Sequence, residues 1–140
     1  MKEYQPRMLT LAAAVAIDTA DRLLLVRKRG TRYFMQPGGK IDPGETPEAA
    51  LVRELEEELG VHCETGALQP LGLFEAEAAN EPGWRIRATL FRLRLEPPVQ
   101  AAAEIEEVRW VLPENALALP LVPLTRDSVV PALLNTPPIA

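Results

Sequence analysis

Two early stretches of this chain are dominated by apolar residues, and mixed patterns follow. Residues 8–17 are almost entirely apolar or small, which suits a strand covered on both faces. After a turn-like stretch at 18–21, residues 23–26 predict a second buried strand. From 27 to 36 the chain becomes basic and aromatic, and Pro37-Gly38-Gly39 predicts irregular structure. Residues 47–59 follow helical spacing, with Leu51, Val52, Leu55 and Leu59 as the apolar stripe. Thr46 is placed to cap this helix, Pro47 suits its first position, Glu48 its positive end and Gly60 its stop.

Further on, residues 71–78 and 84–95 read as two strands joined by the turn Asn80-Glu81-Pro82-Gly83. In the second, apolar residues hold even positions (Trp84, Ile86, Leu90) and then odd ones (Phe91, Leu93, Leu95). That change of phase predicts a bulge near Leu90 and Phe91, or a strand buried on both sides midway. Residues 107–111 predict a last short strand, and 125–134 a closing helix capped by Thr125 with Asp127 in its first turn. About 1–7 and 135–140 are expected to be poorly ordered tails of a single domain spanning 1–140. The pattern is α/β, a mixed sheet with helices on each side. Periodicity alone leaves the topology open.

The predicted helix carries unusual charge. Arg53-Glu54-Leu55-Glu56-Glu57-Glu58 sets four carboxylates in five consecutive positions beside one arginine. At about 100° per residue, Glu54, Glu57 and Glu58 share one quadrant, while Glu56 points about 160° away from Glu54, as a surface residue would. Like charges so spaced repel one another. A hard divalent cation such as Mg²⁺ or Mn²⁺ converts that repulsion into a site, because it selects carboxylate oxygen.

The same stretch resembles the Nudix box with no fixed position missing. Gly39, Glu45, Arg53-Glu54-Leu55, Glu57-Glu58 and Gly60-Val61 match nine fixed positions across residues 39–61. The likeness extends more loosely to Leu24-Leu25-Val26-Arg27 and to Glu107-Val108-Arg109-Trp110-Val111. It implies an α/β/α sandwich and a Mg²⁺- or Mn²⁺-dependent hydrolase of a diphosphate linked to another moiety, commonly a nucleoside. A nucleoside triphosphate cut to monophosphate and pyrophosphate is the leading substrate class. ADP-ribose, dinucleoside polyphosphates and nucleotide sugars stay open, because the box encodes chemistry and not the leaving moiety.

The resemblance also implies roles. Glu57 and Glu58 are expected to ligate metal, with Glu54 a third ligand or the base that takes a proton from water. Arg53 is expected to pair with Glu57 and orient it, the Gly38-Gly39 backbone to offer a carbonyl ligand and close approach, and Glu45 to be a structural partner of the helix. Of Glu104, Glu106 and Glu107, Glu104 is best placed to be a fourth carboxylate, the other reading being plain surface charge. Arg27, from the run Arg27-Lys28-Arg29 with Arg32, is the candidate grip on phosphate. Phe34, Tyr33 and Trp84 are candidates for stacking on a base. Gln36 departs from the apolar residue frequent before Pro37 in relatives, which bears on the substrate pocket and not on the metal chemistry. Arg85, Arg87, Arg92 and Arg94 alternate as on a solvent face.

Composition narrows the partners. A formal charge of −5 argues against life on long nucleic acid, which needs a basic surface, and leaves a small phosphorylated ligand compatible. Cys63 is the sole cysteine, so no intramolecular disulfide is expected. No apolar run approaches membrane-spanning length and the start of the chain does not read as a signal peptide, so a cytoplasmic location is expected, with a homodimer left open. The rival reading is a Nudix-fold module that binds a nucleotide without cleaving it. Loss of box glutamates would mark such a module, and all are present.

Overall fold

A computed structural model of the protein describes residues 7–135. The tails expected at the two ends fall outside that range, apart from Arg7 and Asn135. Seven strands form one mixed sheet: β1 (Arg7–Ile17), β2 (Leu23–Lys28), β3 (Phe34–Met35), β4 (Gly38–Lys40), β5 (Gln69–Glu77), β6 (Trp84–Arg94) and β7 (Ile105–Val111). Its main path runs β3-β2-β1-β6-β5, with β4 joined to β1 and β7 to β2. Among the described strand pairs only β1 and β6 run parallel, in register from Arg7 opposite Trp84 to Ile17 opposite Arg94.

The two apolar runs form the middle of the sandwich. Along β1, Ala12, Ala14 and Ala16 pack into one core beneath α1 (Pro47–Leu59), with Leu51, Leu55 and Leu59. Ala13, Val15 and Ile17 pack into a second core on the opposite face, with Leu124, Val129 and Val130. Alternation in a strand sends successive side chains to opposite faces, so a wholly apolar strand belongs where both faces are covered. The expected α/β/α sandwich is the observed architecture.

β6 explains its own change of phase. Ala88 and Leu90 enter the second core, Phe91 and Leu93 the first, so its middle is buried on both sides. The irregularity lies on the neighbouring strand: the register slips between Pro70 and Gly72, opposite Phe91 and Leu90. Leu71 is the extra residue.

Two local expectations change. The glycines after Pro37 make a short strand, because β1 and β2 pair only at Ile17 and Leu23 and then diverge. Into that gap β3 pairs with β2 and β4 with β1, while Pro37 accepts a bond from the Ala14 N–H. Gly38 stands at φ +151°, and a Cβ there would run into the Ala12 carbonyl oxygen. The second change is at Thr125. It does not cap the closing helix, because Leu124 before it is already helical; Thr125 is fully buried in a π-helical turn (Thr125–Val129) that leads into α3 (Val130–Leu134). A four-residue helix, α2 (Pro113–Ala116), lies between β7 and this turn. Among the described residues no helix is long and apolar enough to cross a membrane.

Candidate active site

The acidic helix is bounded as its sequence predicts. The Thr46 hydroxyl accepts from the Ala49 N–H at 3.1 Å, Pro47 opens the helix, and Gly60 closes it in the left-handed conformation at φ 66°. Its three aligned carboxylates meet different surroundings. Glu58 lies within the core face and is 2% exposed; the Glu54 side chain is 14% exposed and that of Glu57 55%. Burial grades one acidic face into three environments.

Glu58 accepts a hydrogen bond from the Gly38 N–H at 3.1 Å. Burial pushes its carboxyl up to about 8; the charges of Glu54 and Glu104 add to this, and the Gly38 bond and Lys28 oppose it. Glu54 is also raised, chiefly by burial, with Arg53 pulling against it. Gly39 lies directly against Glu54: a Cβ on it would sit 2.5 Å from the Glu54 carboxyl carbon. The second glycine therefore makes room for a carboxylate rather than for a turn.

Arg53 is the hub of the cluster. Its guanidinium grips Glu45 through two bonds of 2.9 and 2.8 Å, donates to Glu54 at 2.8 Å and reaches the Lys40 carbonyl at 3.1 Å. Glu57, its expected partner, stands off at 3.7 Å. The arginine thus orients Glu54 first and leaves Glu57 loosely held. Glu45, drawn down to about 2 by the Arg53 bond and by the Asp42 N–H, is the structural partner of the helix.

A cavity of about 160 Å³ shares a wall with this cluster. Gly38, Gly39, Lys40 and Lys28 line it together with aliphatic residues from β1, β6 and the 122–124 segment. Lys28 also pairs with Glu104 at 3.3 Å, and its charge favours the ionised forms of Glu54 and Glu58. Glu104 is therefore close enough to bear on Glu58 electrostatically, although it is 59% exposed.

Arg27 and Phe34 stand elsewhere. Arg27 is tied to Glu107 at 3.2 Å and to the Thr31 carbonyl at 2.8 Å, and does not line the cavity. Phe34 is buried in the second core, with the Arg109 guanidinium over its ring at 5.2 Å. Tyr33 and Trp84 are likewise covered by Arg32 and Arg7 and absent from the cavity wall. Among the described residues no aromatic side chain lines it. The cations on the cavity wall are Lys28 and Lys40. Lys28 shares strand parity with Leu24 and Val26, which pack beneath α1, and so also bears on the carboxylates of that helix.

The donor set fits a hard divalent cation. Carboxylate oxygens converge in sequence on one helix face, and the space beside Glu54 exists only because Gly39 lacks a Cβ. Among the described residues, no three acidic, imidazole or thiol groups are already drawn together around one point. Glu54 and Glu58 spend their bonds on Arg53 and Gly38, and Glu57 reaches Arg53 at 3.7 Å.

Comparison with known proteins agrees with this geometry. A family model described as the NUDIX domain matches residues 8–133. The chain is 34% identical over 122 residues to the CTP pyrophosphohydrolase of Escherichia coli K12, covering 84% of this chain and 85% of that protein. It is 34% identical over 116 residues to the human 8-oxo-dGDP phosphatase NUDT18, covering 77% of this chain and 33% of that one. The chain spans only 33–43% of several such relatives. A crystal structure of a MutT protein from Methanosarcina mazei Go1 superposes with a TM-score of 0.76 at 20% identity, over 94% of this chain and 96% of that one, which shows the fold. With the acidic helix, its glycine wedge and a family model spanning nearly the whole described chain, the protein belongs to the NUDIX domain family.

Proposed function

We propose that the chain is a divalent-metal-dependent pyrophosphohydrolase that cleaves a nucleoside triphosphate to monophosphate and pyrophosphate. One observation carries the reading: Gly38 and Gly39 touch Glu58 and Glu54 and also line the neighbouring cavity. Charge chemistry and a place for an organic group are therefore contiguous. The relatives that act on CTP and 8-oxo-dGDP support a nucleotide, and the −5 charge of the chain supports a small one.

Glu57 and Glu58, with Glu54 and the Gly39 carbonyl, would hold Mg²⁺ or Mn²⁺; Glu104 is the reserve carboxylate. When bound, the ion would supply positive charge that offsets the charge developing on the diphosphate. Lys28 adds a cation on the cavity wall, where a phosphate would arrive. Arg53 holds the Glu45 loop to the helix and fixes the direction of Glu54. Glu54 is desolvated and ionisable, which suits either a ligand or the acceptor of a proton from attacking water. Water is the nucleophile, since the only histidine, His62, is 78% exposed and meets Glu56 at 3.7 Å rather than the cluster.

The test is release of phosphate or pyrophosphate from a panel of nucleotides with Mg²⁺ or Mn²⁺, in ¹⁸O water. Metal-dependent turnover with label in a phosphoryl product supports hydrolysis. Tight, metal-dependent nucleotide binding with no product on any substrate would instead establish a binding module.

A further inference from the structure

Gln36 is an anomaly in the cavity wall. It is 5% exposed, and its side-chain oxygen accepts a 2.5 Å bond from the Thr125 hydroxyl. Its amide nitrogen is buried with no hydrogen-bond partner among the described residues. A buried donor left unmatched calls for an explanation. Gln36 lines the cavity, but its amide nitrogen lies closed to solvent behind that wall, so a ligand reaches it only when the side chain turns into the cavity. Most of its other walls are aliphatic: Leu11, Ala13, Ile86, Ala88 and Leu124.

From this we infer that Gln36 reads the base of the substrate, its amide nitrogen donating to a ring carbonyl oxygen. The inference rests on the nucleotide reading above and adds which bases are favoured. An apolar slot accepts the flat face of any base and discriminates weakly. A buried donor discriminates strongly, because a ligand without the matching acceptor leaves it unpaired. Thr125 is a positioning residue. Its hydroxyl donates to the Gln36 oxygen, the arrangement in which the nitrogen is the unmatched end. This gives a reason for the buried, uncapped threonine in the π-helical turn, and for a polar residue before Pro37. Cytosine, uracil and guanine carry a ring carbonyl, whereas adenine carries none. Adenine is the disfavoured base.

Binding of the product class tests this without relying on turnover. Dissociation constants for CMP, UMP, GMP and AMP would be measured by calorimetry with Mg²⁺, for the wild type and for Gln36→Leu, Gln36→Met and Gln36→Glu, alongside inorganic pyrophosphate. The wild type should bind its best carbonyl-bearing nucleotide at least tenfold more tightly than AMP. Gln36→Leu and Gln36→Met should each erase most of that preference, and Gln36→Glu should weaken the carbonyl-bearing nucleotides further, because a carboxylate offers only acceptors. Pyrophosphate, which has no base, should bind all four proteins alike. Thr125→Val should narrow the preference and Thr125→Ser restore it, an effect that a merely structural threonine would not produce. Equal binding of AMP in the wild type, an unchanged preference in both apolar variants, or no nucleotide binding at all would overturn the assignment. A protein that shows the base preference but hydrolyses nothing would refute the hydrolase reading and leave this one standing.

Discussion

The acidic helix and the cavity beside it are built on opposite plans. On α1, polar groups are over-supplied: Arg53 alone bonds Glu45, Glu54 and the Lys40 carbonyl. In the cavity most of the wall is apolar, with Lys28, Lys40, Asn80 and Glu81 among the rest, and the Gln36 amide nitrogen stands without a partner. Charge held in surplus can be redirected to a cation and a phosphate. A buried, unmatched donor can only be matched or mismatched. On the proposed reading the first plan serves bond cleavage and the second serves choice of substrate, and the two meet at Gly38 and Gly39.

The largest effect that could break this division is on the acidic side. Glu57→Gln and Glu58→Gln should each lower turnover at least about 100-fold at saturating Mg²⁺, because each removes a charge from the group that stabilises the transition state. Both proteins should stay folded by circular dichroism. Near-wild-type turnover in the two variants would end the metal mechanism.

Gly39→Ala should come next. Its new Cβ would press on the Glu54 carboxyl, and the backbone cannot retreat while β4 is paired with β1. Turnover should fall by about tenfold or more, while base preference in the binding series stays as it was. A loss of preference instead would mean that the two regions are not separable.

A third effect is on stability and concerns pH. The folded, metal-free protein holds the Glu58 proton up to about pH 8, against an ordinary value of 4.5. Between those values the native state binds more protons than the unfolded chain, so Glu58 contributes stability that is full below about pH 4.5 and lost as pH rises through 8. In EDTA the melting temperature should fall from pH 5 to 9. Glu58→Gln should flatten that slope, and Mg²⁺ should raise stability most at the alkaline end, where the ionised carboxylate is available. A slope that Glu58→Gln leaves intact would assign it to another group.

The smallest effect sharpens the geometry. Glu56→Gln should leave turnover within about twofold, since Glu56 faces solvent and meets His62 at 3.7 Å, away from the cluster. Damage comparable to that of Glu54→Gln would show that activity depends on the helix as a whole rather than on one face.

The sequence by itself determined the helix from cap to stop, the alignment of its three carboxylates, and the two strands buried on both faces. These are local or periodic properties: cap chemistry acts within four residues, and side-chain direction follows 3.6- and 2-residue periods. Strand parity also sets Lys28 with Leu24 and Val26 on the α1 side, although the run of neighbouring arginines obscured it. Tertiary structure alone decided how deeply each carboxylate is sunk, because burial depends on what the β3–β4 wedge places over the helix. It also decided that Arg53 serves Glu45 and Glu54 before Glu57, that Phe34 belongs to the core and not to the cavity, and that Thr125 meets Gln36 from 89 residues away. Periodicity assigns a side chain to a face, but its partner comes from another element, and only the packed sheet brings the two within bonding distance.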